Sequence, residues 1–203
     1  ANEASHSSEL IGLTKEHLDS YKKKYLDSYK ERISKPSCYI SKRLLIKLER
    51  ILEVLIKTAE SPSEKDNNIL ADLYNYQGDL LFYRLKRSGD AREAYSNAVK
   101  YLRDQSSLAR EASESQIRKS LNNNPSSIQK LAMGLIHLGR VNQELRRLSE
   151  ALQNYNEVVA LLKVHIGLQE EQSFDNKKIR PNREMVKKLA SCLVRIGDIT
   201  REY

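Results

Sequence analysis

Tryptophan is absent from this chain, phenylalanine occurs twice, and there are only two cysteines and four prolines. Each shortage excludes something. Cys38 and Cys192 lie far apart, with neither a CxxC pair nor a histidine at ligand spacing near them. Zinc-ribbon and thioredoxin-type motifs are therefore excluded, and free thiols in a reducing, cytoplasmic setting are expected. The histidines His6, His17, His137 and His165 are scattered, and no HExxH occurs, so neither a metal site nor a cofactor is expected. A nucleophile elbow and a phosphate-binding glycine loop are also missing, and the expectation is a chain that is not an enzyme. No stretch approaches eighteen consecutive apolar residues, so no membrane span is expected. Residues 1–8 are polar, lack a secretory signal pattern, and read as a disordered leader.

What is present is charge, tyrosine and helical periodicity. The formal charge is +8, and the excess is spread along the length rather than gathered in a tail. Two local basic concentrations stand out. Lys22, Lys23 and Lys24 alternate with Tyr21, Tyr25 and Tyr29, and Lys177, Lys178 and Arg180 precede Pro181. Basic groups interleaved with aromatics suit phosphate contacts and base stacking, so a nucleic-acid-binding patch is one reading of them. The competing reading is a solvated helix face with the tyrosine rings packed inward.

No run of alternating apolar residues is found, and apolar positions recur at three and four throughout, which makes the chain all-α. Helices are expected over 9–33, 39–59, 67–87, from Ala91 onward with a frayed or broken continuation to about Ser120, 128–145, 150–170 and 184–203. Ser61 or Ser63, and Ser126 or Ser127, are the expected caps of the third helix and of the helix after Pro125. Gly78, Gly139 and Gly197, each late in an apolar helix with similar neighbours, recur 61 and then 58 residues apart. A glycine inside a helix costs about 1 kcal/mol relative to alanine, so its repeated use predicts close approach by a partner helix. A repeat of this kind predicts stacked helical hairpins, an α-solenoid in which each unit leaves an apolar face for its neighbour.

Around these glycines the pattern resembles a tetratricopeptide repeat. Leu138-Gly139 matches that family's Leu-Gly pair, and Ala151, Tyr155 and Val158 fall at its later small, aromatic and small positions. Gly78, Ala91, Tyr95 and Ala98 match with one extra residue between Gly and Ala, and the last segment offers only Ile196-Gly197. The resemblance divides the chain into an N-terminal helical hairpin over 9–60, a cap or degenerate repeat, and repeats over 61–203, about 65–121, 126–171 and a first helix at 184–203. That helix reads as the start of a further unit in a longer protein.

The resemblance implies a non-catalytic scaffold that binds a peptide or partner helix in a concave groove lined by first helices. Counted from the glycines, the groove residues it implies are Asn75, Asp79, Phe82 and Tyr83, then Ile136, Arg140, Gln143 and Glu144, then Asp198 and Arg201. The family's chaperone adaptors grip a C-terminal carboxylate with Lys and Asn on successive first helices. Here Asn75 and Asp79, then Ile136 and Arg140, stand at those positions, which argues against that clamp. The alternatives are a DNA- or RNA-binding helical-repeat domain and a regulatory arm of a larger enzyme.

Overall fold

The computed structural model describes residues 40–61, 66–110, 112–176 and 183–202. Among them there are seven α-helices and one π-helical segment, and no strand, so the described chain is all-helical. They divide into two compact units, one up to Tyr101 and one from Leu102 on.

In the first unit α1 spans Lys42–Ala59. The Ser41 hydroxyl caps it by accepting from the Leu44 amide at 3.4 Å. Leu45, Leu48, Leu52, Leu55, Ile56 and Ala59 recur at helical spacing and are all buried. They meet Ile69, Leu70, Leu73, Tyr76 and Leu80 in one apolar cluster, each large side chain contributing about 1.5–3 kcal/mol by leaving water. Helix α2, Asn67–Asp79, is capped by Asp66, whose Oδ1 accepts from the Asn68 and Ile69 amides at 2.9 and 3.3 Å. Asp66 holds the role expected of Ser61 or Ser63 because it immediately precedes the first helical residue, where a short carboxylate reaches two free amides.

The single helix expected over 67–87 changes character after Asp79. Leu80–Arg84 is π-helical, and the Leu85 amide donates to the Leu80 carbonyl at 3.1 Å. A π turn accommodates one additional residue within a helix. This accounts for the extra residue between Gly78 and Ala91: the wider turn absorbs it, and the side chains after the turn keep their places. Lys86, at φ 57°, reverses the chain, and α3 runs Ser88–Ser106, the division between units falling within it.

The second unit contains the end of α3, then α4 (Glu114–Asn123), α5 (Pro125–Glu144), α6 (Leu148–Asn176) and α7 (Arg183–Glu202). Rather than fraying, the region after α3 breaks at Ser107, φ 52°, and restarts at Ser113. Ser113 and Gln116 form a reciprocal capping box, the Ser113 amide donating to Gln116 Oε1 at 2.8 Å. Ser120 Oγ donates to the Ser106 carbonyl at 2.8 Å, satisfying a carbonyl at the end of α3. Asn124, not Ser126 or Ser127, caps α5 by accepting from the Ser127 amide at 3.2 Å. Pro125 then occupies the first helical turn, where its missing N–H costs nothing. Arg146, at φ 59°, makes the turn into α6. Helix α6 packs against both α5 and α7.

Candidate functional site

Both units contain one hairpin built on the same device. A Cβ added at Gly78 would lie 2.5 Å from Tyr95 Cε1, and one added at Gly139 would lie 2.8 Å from Tyr155 Cε1. Each tyrosine ring therefore lies flat against a bare helix backbone, and both rings are fully buried. One turn before each ring a fully buried alanine, Ala91 or Ala151, keeps the helices close; one turn after, Ala98 or Val158 is buried likewise. A mid-helix glycine is tolerated here because it admits an aromatic ring. Nothing lies within 4 Å of the Cβ position at Gly197, so the third glycine has no such ring over it.

The two hydroxyls end differently. Tyr95 donates to Asp79 Oδ1 at 2.6 Å, the carboxylate of the residue after the glycine. In the second unit the residue after the glycine is Arg140, and no acceptor lies within hydrogen-bond reach of the buried Tyr155 hydroxyl. The Arg195 guanidinium of α7 lies over the same ring, 6.0 Å from its centroid, a cation–π contact, and donates to Gln143 Oε1 at 3.2 Å. Burial pushes the Tyr155 phenol above its ordinary range against the opposing fields of Arg195 and Arg140. Cys192, almost fully buried, feels the same two guanidiniums, and burial pushes its thiol up. Phenol and thiol are therefore both neutral at ordinary pH.

The residues read from the sequence as partner-facing are distributed over both units. In the first, Asn75, Asp79, Phe82 and Tyr83 are half-buried. Asp79 is held by Tyr95, Asn75 Oδ1 is buried without a donor, and the Phe82 and Tyr83 rings meet edge to face at 4.9 Å. Nearby, Tyr74 and Tyr101 stack at 5.8 Å and both donate to Glu60 Oε1, at 2.7 and 3.3 Å. Burial and the Glu60 carboxylate hold the Tyr74 phenol well above its ordinary range.

In the second unit Ile136, Arg140 and Gln143 are half-buried, and Glu144, Asp198 and Arg201 are exposed. The Gln143–Arg195 bond joins α5 to α7, and the Arg146–Glu202 ion pair at 3.0 Å joins the turn after α5 to the end of α7. Both partners advance along the chain from one pair to the next, so these helices run in the same direction. Lys22, Lys23, Lys24, Lys177, Lys178 and Arg180 lie outside the described residues, as does the leader.

Sequence reading missed Tyr155 and Arg195 as members of a polar corner. Tyr155 was legible only as a core ring, and Arg195 as a neighbour of the third glycine. The usable signal was the exchange of Asp79 for Arg140 at matched positions, which removes the acceptor that a buried tyrosine needs. A second feature of this unit is a cleft of about 550 Å³ between the 108–112 segment, α4 and the start of α6. Leu108, Ile117, Leu152 and Leu161 floor it, with Gln153 and Glu157 on its walls. It exists because the chain leaves the helix at Ser107. Among the described residues no three His, Cys, Asp or Glu side chains gather as a metal site, and no helix is long and apolar enough to cross a membrane. Comparison with protein-family models, curated proteins and solved structures finds no match for the chain.

Proposed function

We propose that the chain is a non-catalytic protein-binding scaffold of tetratricopeptide-like hairpins, and that a peptide or helix of a partner protein lies along the α5–α7 side of the second unit. The observation that carries this reading is the direction and cross-linking of those two helices. Both offer their outer side chains on one side, tied by Gln143–Arg195 and, from the turn after α5, by Arg146–Glu202, while α6 covers the other with Tyr155, Val158 and Leu162 in the core. The surface so formed alternates apolar, cationic, amide and acidic groups: Ile136, Arg140, Gln143 and Glu144 on one helix, Asp198 and Arg201 on the other. Such a mixture suits an extended peptide, whose backbone needs donors and acceptors and whose side chains need at least one apolar seat. The Gly139–Tyr155 contact holds α5 rigidly against α6, and a rigid surface loses little entropy when a partner binds.

The test is to select peptides by display against the full chain and measure the affinity of the strongest for two charge-reversal variants. Arg140→Glu is expected to weaken binding at least about tenfold, as loss of a charged contact does. Lys163→Glu, the same charge change on the exposed side of α6, is expected to leave it unchanged. Equal affinities for parent and Arg140→Glu would refute the assignment. Equal losses in both variants would reduce it to a general charge effect.

A further inference from the structure

Helix α7 repeats a stripe of α5 without its cover. Ile128, Ala132 and Leu135 precede Gly139 by eleven, seven and four residues, and Val186, Ala190 and Leu193 precede Gly197 by the same intervals. Those intervals bring each set to one side of its helix. In α5 the three side chains are at most 1% exposed, and the Tyr155 ring of α6 lies on the glycine. In α7 Val186 is 42% and Leu193 48% exposed, Ala190 is exposed too, and nothing lies within 4 Å of the Cβ position of Gly197. Val194, beside this stripe, is 63% exposed. Helix α7 is nevertheless seated in its unit by a different stripe, since Met185, Cys192 and Ile199 are buried and α6 packs against it. Three of the four large apolar side chains exposed among the described residues therefore gather beside one bare glycine, and a contiguous apolar patch of this kind marks an interaction surface.

We propose that the stripe of Val186, Ala190, Leu193 and Gly197 is the docking site for one helix of a partner protein, seated as α6 is seated on α5. That helix runs antiparallel to α7, lays an aromatic ring on Gly197, and has small residues four before and three after the ring. The chain shows twice what covers such a glycine: Tyr95, between Ala91 and Ala98, lies on Gly78, and Tyr155, between Ala151 and Val158, lies on Gly139. A second copy of the chain does not supply the helix. Tyr95 and Tyr155 are its only aromatic residues with an alanine four positions before them, and both are buried on their own glycines. The charge of the partner follows from the row beside the stripe. Arg183 and Lys187, both exposed, stand at helical spacing with Ala190 and Val194, while Glu184 pairs with Lys188 at 2.8 Å. An antiparallel helix reaches Arg183 and Lys187 about three to four turns after its aromatic, and acidic residues there complement them. The site stands apart from the α5–α7 side, whose contacts come from Arg140 and Gln143, and does not depend on that reading.

The probe is a hydrocarbon-stapled peptide with the sequence of α6 from Leu148 to Glu171, stapled because an isolated helix lacks the tertiary packing that stabilises it. It carries Tyr155 between Ala151 and Val158, and Glu170 and Glu171 about four turns further on. Fluorescence anisotropy with the full chain gives its affinity, and the methyl signals of Val186, Leu193 and Val194 give its place. Saturable binding that moves those methyl signals is expected. Tyr155→Ala in the peptide and Gly197→Ala in the chain are each expected to weaken it at least about tenfold, the second because its methyl group takes the place of the ring. Gly197→Ala leaves the free chain folded, since the space it enters is open. Lys187→Glu is expected to weaken binding up to about fivefold. No binding, or full affinity for either alanine variant, would overturn the proposal, and full affinity for Lys187→Glu would overturn the choice of an acidic helix. Signals moving at Ile136, Arg140 and Gln143 instead would assign the peptide to the α5–α7 side and refute this site alone. Dimerisation of the free chain in sedimentation, abolished by Leu193→Asp, would overturn the choice of a foreign helix in favour of a second copy.

Discussion

Replacing Gly78, Gly139, Gly167 and Gly197 by alanine, one at a time, separates two opposed effects. Alanine is favoured over glycine within a helix by about 1 kcal/mol. At Gly167 and Gly197 nothing lies within 4 Å of the new methyl group, so the gain is expected nearly in full, about 0.5–1 kcal/mol. At Gly78 the methyl would meet three atoms of the Tyr95 ring at 2.5 to 2.7 Å. That ring is fully buried and its hydroxyl is tied to Asp79, so it has no direction in which to yield. Overpacking of this kind costs about 1–3 kcal/mol, and the net effect of Gly78→Ala is a loss of up to about 2 kcal/mol after the propensity gain. Gly139→Ala meets Tyr155 at 2.8 to 3.2 Å, looser than the contacts at Gly78, so its loss is expected to be smaller. Thermal melts followed by circular dichroism are sensitive enough, since 1 kcal/mol corresponds to about 2–4 °C in a chain of this size. If Gly78→Ala matches Gly197→Ala in sign, the ring does not lie on the glycine as described.

The two tyrosines give a second contrast. Tyr95→Phe removes the bond to Asp79 and is expected to cost about 1–2 kcal/mol, whereas Tyr155→Phe removes a hydroxyl that has no carboxylate acceptor and is expected to cost less than about 1 kcal/mol, both by chemical denaturation. Among the ion pairs, Arg103–Glu157 at 2.6 Å has side chains only 16% and 14% exposed, while Arg146 and Glu202 are 79% and 44% exposed. Glu157→Gln is therefore expected to lose about 2–3 kcal/mol, because it strands a desolvated guanidinium, and Arg146→Ala less than about 0.5 kcal/mol. Burial pushes the His165 imidazole below its ordinary range. The unfolded chain then takes up that proton first, so stability is full above the ordinary pKa of about 6.5 and falls as pH drops below it. His165→Gln is expected to flatten that part of the stability–pH curve.

The helical character and the hairpin register were legible in the sequence because both depend on local spacing. Gly78 with Tyr95, and Gly139 with Tyr155, stand out as recurrences before any contact is known. The extra residue of the first hairpin was also visible, but not its resolution. A π turn is set by which carbonyl the Leu85 amide reaches, and that depends on packing rather than composition. Caps were misread for a related reason: several polar residues precede each helix, and only the backbone angle at Asp66 and Asn124 decides which one serves. The break at Ser107 was legible as one of two readings, frayed or broken, but neither its position nor the cleft that follows from it was legible. The corner of Tyr155, Arg140 and Arg195 joins three helices, so only packing assembles it, and the sequence shows just Arg140 standing where the first hairpin has Asp79.

The most direct measurement is to map a selected peptide onto the full chain by backbone chemical-shift perturbation. The scaffold reading requires the shifts to concentrate at Ile136, Arg140 and Gln143 of α5 and at Arg195, Asp198 and Arg201 of α7. Shifts gathered instead around Leu108, Ile117 and Leu152, or on the outer side of α6, would place the binding surface elsewhere and contradict it.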